Sequence, residues 1–194
     1  QRQMCIRDSS YGWVGISHCA IFDDGQDNWF YSSQGRLPKD IPGINSSNAV
    51  MMGHVRSIRW TTGEKNDAMN DWPVVMPERY GNVPQDLTIS EEELIGDWEF
   101  MQLDGNHNGQ QFTSLTLTLG ENHKLTTSTG FWKNMSWTYD ASQQILSLNE
   151  GNIRIYLQRE VDWEATPRIA TVVGAGYYKD SSGNWKTNWM KRLK

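Results

Sequence analysis

The sequence predicts an all-β chain in two parts: a four-stranded sheet of propeller-blade size, then an antiparallel β-barrel or sandwich. Three observations lead there. Short apolar runs recur along the chain, and in one of them Leu115, Leu117 and Leu119 alternate with Thr116 and Thr118, the period of a half-buried strand. Turn sequences such as Asp23-Asp24-Gly25, Glu150-Gly151-Asn152 and Ser182-Gly183-Asn184 fall between the runs. The stretch from Gly12 to Gly81 is dense in Trp and Tyr and carries a lone His18 among small residues, a composition that suits a sugar-binding cleft.

The elements follow in order. Trp13–Phe22 and Asn28–Gln34 flank Asp23-Asp24-Gly25, and Asp-Gly between apolar strand residues signals a hairpin. Residues 37–48 hold Pro38, Pro42 and Gly43 and read as an irregular loop. His54–Thr61 is the third strand; a polar turn at Gly63–Asp71 leads to the fourth, Trp72–Met76. One blade-sized sheet cannot bury both faces, so it needs a neighbour. In the segment 82–93, Ser90-x-x-Glu93 matches a capping box that starts a short helical turn, and the segment reads as an exposed linker. From Leu94 onward come Trp98–Leu103, Leu115–Leu119, Lys124–Thr129, Phe131–Tyr139, Ile145–Leu148, Ile153–Leu157, Ile169–Tyr178 and Asn184–Met190. Such a run of short antiparallel strands closes as a barrel or stacks as a sandwich. Its Ile95-Gly96-Asp97-Trp98-Glu99 start is lipocalin-like in outline.

Composition narrows the function classes. The net charge is −5 and the basic residues are scattered, which argues against nucleic acid, a ligand that needs a clustered basic face. No apolar run approaches the roughly 18–20 residues that span a bilayer. Ten Trp in 194 residues are more than a core readily takes, because each buried indole N–H needs a partner, so some rings are expected at a binding surface. Cys19 is expected to be a small buried strand residue. Residues 1–10 fit nothing that follows and read as a sequencing scar, so the chain is expected to begin inside a longer protein.

Four groups of residues carry a family resemblance: Gly15-Ile16-Ser17-His18-Cys19, Asn28 to Arg36, Met52-Gly53-His54-Val55-Arg56, and Trp72-Pro73-Val74-Val75 with Pro77-Glu78-Arg79-Tyr80. On these, residues 11–81 resemble the last blade of the five-bladed propeller of a glycoside hydrolase family 43 endo-α-1,5-L-arabinanase. Residues 94–194 are similar to the C-terminal β-domain of the extracellular members, through Gly96-Asp97-Trp98-Glu99, Gly130-Phe131-Trp132 and Trp189. The resemblance implies a secreted, extracellular enzyme that cleaves α-1,5-linked arabinan of the plant cell wall, or arabino-oligosaccharides, with inversion. Its three functional carboxylates sit on earlier blades, so this chain is expected to hold no catalytic residue and to be inactive alone. The resemblance also implies that His18 helps hold a calcium ion near the propeller axis, although calcium prefers oxygen ligands. Trp13 and Trp29 are weak candidates for stacking on sugar rings. Asp23 and Asp24 read as turn residues, His54 as structural, and Arg36, Arg56 and Arg59 as arms of ion pairs with Glu78 or Asp40. A non-catalytic carbohydrate-binding or lipocalin-like β-protein is the alternative.

Overall fold

Eight strands of the second block curl until the last pairs with the first. The computed structural model describes residues 14–36, 52–63, 70–84, 88–103, 113–129, 135–180 and 182–193. Strands β1 (Val14–Asp23), β2 (Trp29–Arg36), β3 (Met52–Trp60) and β4 (Pro73–Val75) form an antiparallel meander in that order. The barrel consists of β5 (Gly96–Leu103), β6 (Leu115–Leu119), β7 (Lys124–Thr127), β8 (Met135–Asp140), β9 (Ile145–Leu148), β10 (Ile153–Asp162), β11 (Ile169–Lys179) and β12 (Trp185–Arg192). β12 closes on β5 in a register from Thr187↔Leu103 to Arg192↔Trp98. Closure leaves no unpaired edge, and it decides for a barrel over a sandwich. Arg192 fastens the junction by donating to the carbonyls of Glu93, Ile95 and Asp97.

Large side chains fill the barrel. Trp98, Leu117, Leu119, Leu146, Ile155 and Leu157 are all fully buried, with Trp137 and Phe100 nearly so. Both buried indoles find acceptors: Trp98 Nε1 donates to Leu94 O at 2.8 Å and Trp137 Nε1 to Gly120 O at 3.1 Å. Gly176 lies where β11 crosses β10 too closely for a side chain, since a methyl there would sit 2.0 Å from the carbonyl oxygen of Arg154. Gly176→Ala is therefore expected to cost about 1–3 kcal/mol, the usual range for overpacking, read as a lower urea midpoint at unchanged m-value.

The expected linker is anchored where it is described. Ile89 and Leu94 are fully buried in the barrel core, and Tyr139 Oη donates to Ile89 O at 2.9 Å. The helical turn is a single 3-10 turn, Glu92–Leu94, with Glu93 Oε2 accepting Ser90 N–H at 2.9 Å. The first hairpin also differs from the two-residue turn that Asp-Gly suggests. Asp23 pairs with Trp29, leaving residues 24–28 as the loop. Asp23 Oδ1 accepts Gly25 N–H and Asp24 Oδ1 accepts Gln26 N–H, each at 2.8 Å, while Gly25 and Asp27 take positive φ. Two local carboxylate caps thus favour a wider loop over the tight turn.

The sheet meets the outer wall of the barrel along β3, β4 and the residues after it. Tyr31, Ile58, Val74 and Met76 of the sheet share one buried cluster with Met101, Tyr156, Val173, Tyr177 and Trp189 of the barrel. This is the neighbour that a lone blade needs. β1 is the far edge strand, so Cys19 is exposed there rather than buried as expected.

Candidate functional site

His18 sits at a fault in β1. The register passes from Ser17↔Gln34 to Ala20↔Ser32, one extra residue on the β1 side, and His18 takes φ +52 within that bulge. A bulge re-aims a side chain, and a non-glycine residue at positive φ marks stored strain. Gln34 Nε2 lies against His18 Nδ1, and the imidazole is exposed. The Gln34 side chain thus sets an amide beside the imidazole. Among the described residues no group of three or more His, Cys, Asp or Glu side chains could hold a metal. Calcium takes six to eight oxygen ligands, so these residues do not form a calcium site by themselves. Trp13 and the side chain of Arg36 lie outside the described residues.

Trp29 is half-buried, edge-on to Trp60 with ring centroids 5.3 Å apart, and it borders a groove between sheet and barrel. His54 is buried within β3. Arg59 joins the two halves through barrel carbonyls, and Arg56 reaches the barrel over the Trp189 ring. Arg56 is fully buried, reaches Met76 O and Pro77 O, and lies over the Trp189 ring. Arg59 spans Leu157 O and Gln143 O at 2.7 Å each. A guanidinium carries enough donors to bind several carbonyls at once.

An ion-pair cluster at the seam centres on a residue that the sequence reading passed over. Lys191 Nζ lies 3.2 Å from Glu78, 3.2 Å from Asp162 and 2.9 Å from Glu164. Burial opposes its charge, but Glu164, Glu78 and Asp162 outweigh that and raise its pKa. Beside it Glu160 is fully buried, accepting from Ser57 Oγ at 2.7 Å and Gly81 N–H at 3.4 Å. Burial pushes its carboxyl up to about 7; the Ser57 and Gly81 hydrogen bonds work the other way, Glu78 adds to the rise and Arg56 reduces it. A carboxyl with no exposed surface cannot touch a substrate, so its perturbed pKa belongs to the seam and not to acid–base chemistry.

Residues 77–189 match a family model described as the GH43 C-terminal lipocalin-like domain. The chain belongs to this GH43 C-terminal domain family. The match begins at Pro77, in the stretch after β4 that lies along the barrel: Trp163 Nε1 donates to Arg79 O at 2.8 Å, and Gly81 abuts the Val161 side chain. Among solved structures, the GH43 chain is similar to the glycoside hydrolase family 43 YxiA protein from Bacillus licheniformis, with TM-score 0.66, 19% identity, and coverage of 94% of this chain and 36% of that one. It is equally similar in fold to an endo-1,5-alpha-L-arabinanase from Thermotoga petrophila RKU-1, with TM-score 0.66, 16% identity, and coverage of 95% and 36%. The TRIS complex of that arabinanase matches with TM-score 0.66, 16% identity, and coverage of 95% and 37%. The chain thus spans little more than a third of these solved chains. No curated protein sequence matches it.

Proposed function

We propose that this chain is the C-terminal part of a glycosidase that cleaves α-1,5-linked L-arabinan with inversion, comprising the last propeller blade and the lipocalin-like barrel. The observation that carries the reading is the joint alignment of sheet and barrel: 95% of the chain falls on 36% of an arabinanase. Inversion uses two carboxyl groups about 6.5–9.5 Å apart with a water between them. In this reading both groups come from blades outside the chain. Glu78 and Glu160, buried at the seam, hold sheet to barrel instead. A polymeric substrate of the plant cell wall cannot enter a cell, which supports a secreted enzyme.

The test is to extend the chain into the reading frame upstream and assay both forms on linear arabinan. The extended enzyme is expected to release arabino-oligosaccharides and the 194-residue chain none. Release by the chain alone overturns the reading. His18 contributes one ligand of a calcium site completed from outside the chain, with the bulge directing the ring. In the extended enzyme His18→Ala is expected to lower calcium retention, measured by metal analysis after dialysis, with the melting temperature nearly unchanged. Undiminished calcium in that variant removes His18 from the site.

A further inference from the structure

The seam between sheet and barrel holds a groove of about 340 Å³. That volume lies within the roughly 300–1,000 Å³ of small-molecule sites. Both halves of the chain build it: Trp29 and Arg59 from the sheet, Tyr80 and Asn82 from the segment that follows, Gln144 and Gln158 from the barrel.

Its aromatic rings are fixed by their own neighbours. Trp29 is held edge-on by Trp60. Tyr80 is 36% exposed, held edge-on by Phe30 at 4.9 Å, and its hydroxyl donates to Asn82 Oδ1 at 2.9 Å. Rigid rings offer apolar area without the entropy cost of ordering.

The polar groups add a second, independent pointer. Gln158 is only 9% exposed, and its Oε1 is buried without a hydrogen-bond partner, while its Nε2 donates to Glu160 at 3.4 Å. An unsatisfied buried acceptor is costly, and a hydroxyl donor in the groove relieves that cost once the amide turns its oxygen outward. Among the described lining residues the one cationic group, Arg59, is already spread over two carbonyls, and Asp27 adds a carboxylate, so the groove offers little to an anion. Flat rings beside amide groups, with the local cation already engaged, match a ligand that carries many hydroxyls and no charge.

We infer that this groove is a binding site for a neutral oligosaccharide. The choice of a pentose chain as ligand rests on the glycosidase reading; the groove itself does not. Because sheet and barrel both line it, a bound chain also ties the two together.

The experiment titrates the 194-residue chain with arabinohexaose and, separately, xylohexaose, followed by calorimetry and Trp fluorescence. Saturable arabinohexaose binding is expected, weakened about tenfold or more by Trp29→Ala and by Tyr80→Ala, each loss corresponding to about 1.4 kcal/mol. Gln158→Leu is expected to weaken it as well. Trp29 also packs at the seam, so Tyr80→Ala, at an exposed position, is the deciding variant, with its fold checked by melting temperature. Absence of saturable binding of either sugar at millimolar concentration overturns the site. So does binding that folded Tyr80→Ala leaves unchanged. Binding of xylohexaose alone, sensitive to Tyr80→Ala, upholds the groove and counts against the arabinan reading; arabinan hydrolysis by the extended enzyme with an empty groove does the reverse.

Discussion

Replacing Lys191 with alanine is expected to lower the stability of the chain by about 3–5 kcal/mol, the range for breaking a buried ion pair on one side only. The side chain of Lys191 is 11% exposed and that of Glu78 is 8% exposed, so water solvates neither well. The substitution leaves three carboxylates, Glu78, Asp162 and Glu164, facing one another around a vacated position. The cost comes from the stranded charge more than from the lost attraction, and this sets up the check. Adding Glu78→Gln to Lys191→Ala removes the most buried stranded charge and is expected to restore a large part of the loss. Additive losses in denaturant unfolding of the two single variants and the double variant count against the cluster as a unit. Hydrogen exchange is expected to rise first in β12 and at the end of β10, which carry Lys191 and Asp162.

The second large effect depends on pH. Glu160 keeps its proton in the folded chain up to about 7, against an ordinary value of 4.5 in the unfolded chain. Between those values the folded state binds the proton and the unfolded state does not. Stability therefore falls as pH rises through that window, by about 3 kcal/mol in all. Glu160→Gln carries no charge to desolvate. It is expected to exceed the native chain in stability by about 2 kcal/mol at pH 8, allowing for one weakened hydrogen bond near Gly81. At pH 4.5 the order is expected to vanish or reverse, since the protonated acid fits its partners Ser57 and Gly81 at least as well as the amide. Urea midpoints measured at both pH values decide it; parallel curves for the two proteins remove Glu160 as the source of the dependence.

Most of the fold was legible because strands with one wet face alternate. β6 and β9 fall on the residues predicted, and the other strands differ by a few residues at their described ends; the start of the predicted Phe131–Tyr139 strand lies outside the described residues. β10 shows where legibility stops. Its apolar run ends at Leu157, yet the strand continues through Gln158, Arg159 and Glu160 to Asp162. The sheet covers the outer wall of the barrel there, so polar residues on that wall are buried and the alternation disappears. Pattern reading assigns a polar outward position to solvent, and only the docking of a second sheet reverses that assignment. For the same reason Glu160, Lys191 and Gln158 gave no local signal, although the arginines nearby were recognised as junction residues. His18 was marked by its small neighbours, while the bulge that turns its backbone to positive φ depends on the pairing of β1 with β2 and has no sequence of its own. The groove was visible only through Trp29 and Arg59, since Tyr80, Asn82, Gln144 and Gln158 come to it from distant parts of the chain.

The closure of β12 on β5 has a mechanical side. Gly96 and Arg192 lie at the same end of the paired strands, so a pull that separates them loads the ladder bonds one after another, as a zip opens, and not all together in shear. Ladder bonds broken singly resist weakly. The β5-side carbonyls that Arg192 holds, on Glu93, Ile95 and Asp97, stand at the first tooth of that zip. At that end the Arg192 guanidinium and the Leu193 N–H, which donates to Asp97 O at 2.8 Å, are the first groups such a pull meets.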